Sequence, residues 1–175
     1  MRLKRYVSNS EEWSKAFALK PFRFPDGFIL VVDTREQEPL FTGRLPKGLV
    51  LVRDGLRNGD YSIRGFEDKF FVERKKVSDL LTYIARDHAK TREKLERCRD
   101  YEFKALVIEE EERKLLAPDP TDMAWVNINP ENVRQGLASL EVRYNMHIYY
   151  AKKRIDMERW ILDRAIKFYN VKKEF

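Results

Sequence analysis

From Phe28 to Asp33 the chain reads Phe-Ile-Leu-Val-Val-Asp, an unbroken apolar, β-branched run closed by an acid. Such a run predicts a strand covered on both faces, with its carboxyl end opening onto a site. Phe103 to Ile108 repeats the pattern and is followed by another acid, Glu109. Between the two, residues 48–52, 61–64 and 69–73 read as shorter strands, the last pair as a hairpin turning at 65–68. Helical spacing takes over after Lys76, where Leu80, Leu81 and Ile84 share one face. The charged stretch from Arg86 to Asp100 continues that helix with Leu95 and Cys98 pointing inward. Val133, Leu137 and Leu140 form an amphipathic helix behind Pro130, and Met157, Ile161, Ala165 and Phe168 form a last one, with residues 147–150 as a short strand between them. This order predicts an α/β sandwich, a mixed central sheet flanked by helices. Residues 1–25 read as an N-terminal appendage, a short helix over 11–19 broken by Pro21 and Pro25, which leaves 26–175 as one domain.

Composition narrows the class. The 175 residues suit one sizeable core, and a hydrophobic fraction of 43% supplies it. Lys+Arg 35 against Asp+Glu 29 leaves a net charge of +6, which suits a polyanionic partner. The one cysteine, Cys98, excludes an intrachain disulfide, and with only His88 and His147 beside it there is no Cys/His set for a structural zinc. No apolar core follows the charged N-terminus, and no apolar run is long enough to span a bilayer. A soluble, cytoplasmic protein is expected, nuclear if the source is eukaryotic.

Candidate chemistry centres on the hairpin. Hard divalent ions such as Mg²⁺ want carboxylate oxygens at fixed positions, and phosphodiester hydrolysis uses such an ion to supply hydroxide and to offset charge on phosphorus. Asp60 stands at the start of one hairpin strand and Glu73 near the end of the other, so the turn between them can bring both carboxylates to one side of the sheet. Lys75, two residues beyond Glu73, shares its face. Its ammonium could orient the attacking water, lower its pKa or steady the pentavalent phosphorane, and the sequence leaves these roles open. Glu-x-Lys is a common triplet: Glu102-Phe-Lys104 and Glu112-Arg-Lys114 have the same form. Context separates them, because Glu102 opens a strand and Glu112 lies in the acidic run Glu109–Glu112.

Three blocks in order, Val32-Asp-Thr-Arg-Glu36, Gly59-Asp-Tyr61 and Val72-Glu-Arg-Lys-Lys-Val-Ser-Asp79, resemble the XPF nuclease family, whose signature is Gly-Asp, a gap, then Glu-Arg-Lys-x-x-x-Asp. The similarity runs in pattern from about Phe28 to Asn170. It implies a restriction-endonuclease-like central mixed sheet and a DNA endonuclease using Mg²⁺, with Mn²⁺ able to substitute. It further implies Asp33, Asp60 and Glu73 as acids of the metal site, Lys75 as the catalytic lysine, and Arg35, Glu36, Arg74 and Asp79 as their supporting shell. Bland alternatives stand beside these roles: Asp33 as a strand cap, Arg35 with Glu36 as a surface ion pair, Asp79 as an acid favoured by a helix N-terminus. Glu109 is a further acid at a strand end, but its neighbours Glu110 to Glu112 make a solvated cluster the expected reading.

The resemblance also implies a branched DNA substrate, such as a fork or flap, and pairing with a second copy or a related subunit through this domain. DNA-backbone contacts are expected from Lys76, Lys90, Lys152, Lys153 and Arg154. Relatives carry a Gly-Arg pair where this chain reads Asp87-His88-Ala89-Lys90, so an arginine contact there is absent or replaced by Lys90. The other basic residues of the 86–100 stretch interleave with Glu93 and Glu96 and read equally as an ordinary solvated helix face. A restriction-like or junction-resolving nuclease, and a non-catalytic DNA-binding scaffold, are the rival readings.

Overall fold

The computed structural model describes residues 22–43, 45–86, 88–117 and 129–174, with side chains described throughout these except at 85, 86 and 88–90. The helix expected over 11–19, and most of the expected appendage, lie outside the described residues. Six strands form one mixed sheet: β1 (Leu30–Asp33), β2 (Leu51–Asp54), β3 (Tyr61–Ile63), β4 (Phe70–Lys75), β5 (Phe103–Ile108) and β6 (His147–Tyr150). Their spatial order is β2-β1-β3-β4-β5-β6. β3 runs antiparallel to both β1 and β4, while the remaining pairs are parallel. The carboxyl ends of five strands and the amino end of β3 therefore share one edge of the sheet, which is where the open crevices of α/β sheets bind ligands.

Helices cover both faces, as the alternation within the strands dictates. Leu30 and Val32 of β1, Tyr61 and Ile63 of β3, Phe70 and Val72 of β4, and Ala105 and Val107 of β5 face one core. It is closed by α5 (Arg154–Lys173) through Met157, Ile161, Leu162, Ala165 and Tyr169. Phe22 and Phe24 also pack against this core. Phe71, Leu106 and Ile108 face the opposite core, built with α1 (Val77–Leu81), α2 (His88–Arg97), α3 (Glu112–Leu116) and α4 (Pro130–Tyr144). Asn129 caps α4 by accepting from the Glu131 N–H at 2.9 Å, with Pro130 at the first helical position, where its missing N–H costs nothing.

Two local differences from the sequence expectation bear on function. β4 runs two residues past the expected end at Glu73, so Glu73 and Lys75 both lie within a regular strand. The helix expected to run on from Leu80 is interrupted by a π-helical turn over Thr82–Arg86 before α2 begins. π-helical turns tend to occur at functional sites, and Ile84 within this one is buried, as its apolar spacing with Leu80 and Leu81 predicts. Gly136 of α4 lets that helix lie against the π turn: a Cβ there would stand 2.1 Å from Ile84 Cγ2. Gly136→Ala gains helix propensity yet is expected to lose a net amount of roughly 1–3 kcal/mol of stability through overpacking, read from urea unfolding. An unchanged midpoint would mean the π turn moves freely to accommodate the methyl group.

Candidate active site

Strand register places the acids before any side-chain rotamer is considered. Leu30 pairs with Ile63 and Val32 with Tyr61, which sets Asp33 opposite Asp60, and the Asp33 N–H donates to the Asp60 carbonyl at 2.9 Å. Tyr61 pairs with Val72, the Asp60 N–H also donates to the Val72 carbonyl at 2.8 Å, and the Arg74 N–H donates to Asp60 Oδ2, which brings the Asp60 carboxylate against the Glu73–Arg74 stretch of β4. The three acids thus form a row at the same end of three adjacent strands, and Glu73 is the acid whose charge acts most strongly on Asp60. Gly59 makes the close approach possible. Its φ of 76° lies in the left-handed region, and a Cβ there would come within 2.9 Å of the Phe71 side chain and 3.0 Å of the Val72 carbonyl. The Gly-Asp pair is therefore a backbone requirement as much as a chemical one.

Like charges in a row need compensation. Glu73, only 4% exposed, accepts from Lys75 Nζ at Oε1 (2.7 Å) and from Lys94 Nζ at Oε2 (2.6 Å). Burial raises its pKa, but the charges and hydrogen bonds of Lys94 and Lys75 outweigh this and hold it below the usual carboxylate range. Lys75 in turn is held above its ordinary value: burial lowers it, and the Glu73 charge and hydrogen bond, then Asp60 and Asp79, more than restore it. Asp60 is left undercompensated. Burial first and the Glu73 charge second push it up to about 7, against the Arg74 N–H that donates to Oδ2 at 2.7 Å.

Asp33 is expected as a third metal acid, and its carboxylate is fully engaged elsewhere. Arg35 grips it with Nε on Oδ1 (2.8 Å) and a terminal nitrogen on Oδ2 (2.9 Å), and the backbone N–H groups of Arg35 and Leu56 add 2.7 and 2.8 Å bonds. Burial would raise its pKa; these donors overcome it and bring Asp33 down to about 2. Among the described residues no three His, Cys, Asp or Glu side chains gather closely enough to hold one ion. The pair Asp60–Glu73 is what the structure brings together, with Asp33 beside it in the row and turned to Arg35.

The other predicted residues fall around the same cleft of about 440 Å³, lined by Asp33, Arg35, Glu36, Asp60, Arg74, Lys75, Lys76, Asp79 and Lys94 among others. Arg74 points to the opposite face from Glu73 and ties three segments together, pairing with Glu36 (3.0 Å), with Glu109 and with the Glu38 carbonyl (2.8 Å). Glu109 is thus not a member of a solvated cluster: it is the anionic partner of a guanidinium that is 8% exposed. The expected reading followed its acidic neighbours in sequence, whereas strand direction sends Glu109 to Arg74. Asp79 is exposed at the rim, in the first turn of α1. Lys76 is exposed and pairs with Glu38 at 2.7 Å. Lys152 and Lys153, between β6 and α5, and Arg154, the first residue of α5, are exposed at the same edge of the sheet, and Arg154 donates to the Pro39 carbonyl. The side chain of Lys90 lies outside the described residues.

Two residues of the site were not legible. Lys94 reads as one of several alternating charges; its position one residue before Leu95 and four before Cys98, both buried, is the only hint that it faces the sheet. Tyr83 comes to the site through the π turn, with Lys75 Nζ 5.8 Å from its ring centroid. The two decoy triplets resolve by burial: Lys104 is buried and donates to the Arg99 and Tyr101 carbonyls, and Glu112 to Lys114 lie on the short helix α3.

A mixed sheet sandwiched by helices, with an acid pair and lysine at its strand ends, defines an α/β domain of the XPF-nuclease type. Residues 32–163 match the ERCC4 domain, and the chain belongs to that family. Its fold is similar to that of "XPF from Aeropyrum pernix, complex with DNA", with a TM-score of 0.58, 17% identity and 81% of this chain covered. A second structure, "XPF from Aeropyrum pernix", gives a TM-score of 0.56, 18% identity and 78% covered. The chain spans 64% and 59% of the lengths of those two chains. No curated protein shows significant sequence similarity to it. Among the described residues no helix is long and apolar enough to cross a membrane.

The raised pKa of Asp60 has a signed consequence. A carboxyl whose folded pKa lies above its unfolded value near 4 favours the folded state at low pH, and that contribution is lost as pH rises through about 7. Asp60→Asn is therefore expected to stabilise the metal-free protein by roughly 1–3 kcal/mol at pH 8, a margin that shrinks toward pH 5. Urea unfolding in chelator at several pH values measures it; a pH-independent difference would mean that burial and the Glu73 charge do not hold Asp60 protonated.

Proposed function

We propose that this domain is a metal-dependent DNA endonuclease that hydrolyses phosphodiester bonds, acting on branched DNA such as forks or flaps. The observation that carries the reading is a cleft lined by Asp60 and Lys75, with the buried Glu73 directly behind them, paired to Lys75 and acting by its charge on Asp60. Family membership and the fold shared with an XPF solved in complex with DNA support it.

The donor set fits a hard divalent ion. Asp60 and Glu73 offer only oxygens, and Asp60 carries a charge that nearby cations leave incompletely offset. These two residues would hold Mg²⁺, or Mn²⁺ in its place, and the bound ion would supply an activated water and charge neutralisation at phosphorus. Lys75, kept protonated by its acidic neighbours, is placed to hydrogen-bond the attacking water or an equatorial phosphate oxygen as negative charge develops there. Asp33 acts through Arg35, whose guanidinium is 70% exposed on its side-chain surface and fixed on the acid side of the cleft. Arg74 holds β4, the Glu36–Glu38 segment and Glu109 in one frame, so that the strand carrying Glu73 and Lys75 cannot slide. Lys76 and Lys152 to Arg154 supply phosphate contacts at the rim, with Lys90 as a further candidate, and their contribution falls with salt. Pairing with a second copy or a related subunit would complete the grip on a branch.

One observation favours a second reading. Glu73 is already neutralised by two ammoniums, as it would be in a DNA-binding scaffold that has given up catalysis. Cleavage of fork, flap, junction and linear duplex DNA in Mg²⁺ separates the readings. The endonuclease is expected to cut branched substrates, with Asp60→Asn and Lys75→Ala each lowering the rate at least about 100-fold while near-native circular dichroism is retained. Undiminished cutting by either variant would remove the assigned site, preference for linear duplex would favour a restriction-like enzyme, and no cutting with intact DNA binding would favour the scaffold.

A further inference from the structure

Lys94 lies outside every motif block, yet its ammonium stands 2.6 Å from Glu73 Oε2, with its side chain 27% exposed. The packing of α2 fixes where it starts, since Leu95 and Cys98 are buried against Phe71 and Leu106 of the sheet. Lys75 already pairs with the other oxygen of Glu73 from within the same strand, and it also feels Asp60, Asp79 and the Tyr83 ring. The ion pair described for Lys94 is with Glu73 alone. Both oxygens of Glu73 are taken by ammoniums, so a divalent ion arriving between the acids can share Glu73 only if one ammonium withdraws. Lys94 is the one joined to the site by a single contact, on a flexible stem rooted in a different element.

We propose that Lys94 is a positioning residue of this site, an internal counter-ion that holds Glu73 Oε2 in the metal-free protein and gives that oxygen up to an incoming divalent ion. The inference rests on the metal-site reading above and adds to it the residue that sets the site's affinity. Removing the competing charge makes the site more negative, so metal binding tightens; a merely structural lysine would change stability and leave metal affinity unmoved.

The test is calorimetric titration of Mn²⁺ into the full chain, as wild type, Lys94→Met, Lys94→Arg, Asp60→Asn and, as a distant charge control, Arg97→Met, whose guanidinium is exposed and pairs with Glu93. Lys94→Met is expected to bind about 10- to 100-fold more tightly than wild type, the range over which one adjacent charge shifts a carboxylate equilibrium. Its metal-free melting temperature should fall, and Lys94→Arg should restore near-wild-type affinity. Lys94→Gln, which keeps a donor for Oε2 without the charge, carries the test if the methionine variant does not fold. An affinity within twofold of wild type, a weaker one, or an equal shift in Arg97→Met overturns the role of Lys94 while leaving a metal site that depends on Asp60 standing. Absence of Mn²⁺ binding in the wild type overturns both.

Discussion

Everything at the working end of this domain follows from one electrostatic constraint: three adjacent strands bring Asp33, Asp60 and Glu73 to the same end of the sheet, and such a gathering of acids is unfavourable unless cations are interleaved with it. The chain meets this constraint unevenly. Asp33 is given a bidentate arginine and two backbone donors, and Glu73 two ammoniums, while Asp60 receives one backbone N–H and stays hard to ionise. The deficit is thus concentrated at the middle acid, where an added cation gains most.

Mechanical support comes from the other face. Successive residues of β4 point to opposite sides, so Arg74 reaches away from Glu73 and Lys75 toward Glu36, Glu38 and Glu109. The segment after β1 that carries Glu36 and Glu38 is itself anchored. Tyr61 Oη accepts from the Leu40 N–H at 2.8 Å, Glu158 of α5 accepts from the Phe41 N–H at 2.7 Å, and Arg154 donates to the Pro39 carbonyl. Phe41 holds a left-handed φ of 62°, an uncommon conformation for a bulky residue, stabilised by burial against Tyr61 and by that carboxylate. A helix at the end of the chain thereby steadies the rim of a site built from its first strands.

Sequence reading failed where contacts are made between distant elements. Glu109 reads with the acids that follow it as a solvated run, yet strand direction turns it to Arg74, 35 residues back. Lys94 reads as one charge among many on a solvated face, and the docking of α2 through Leu95 and Cys98 is what brings it to Glu73. Both are choices of orientation, and a local pattern of charges carries no information on orientation.

The sequence by itself determined the two long buried strands, the β3–β4 hairpin and the apolar faces of α4 and α5, because alternation along a strand, a short antiparallel turn and helical spacing are local rules that hold wherever the element sits. The need for Gly59 is a tertiary fact, since only a residue without a Cβ fits a left-handed φ against Phe71 and Val72. Tertiary structure alone decided which cation answers which acid: Arg35 taking Asp33, Arg74 taking Glu36 and Glu109, Lys94 joining Lys75 on Glu73. Those pairings depend on how the helices and loops dock on the sheet, and the free energy of a buried charge depends on everything that surrounds it.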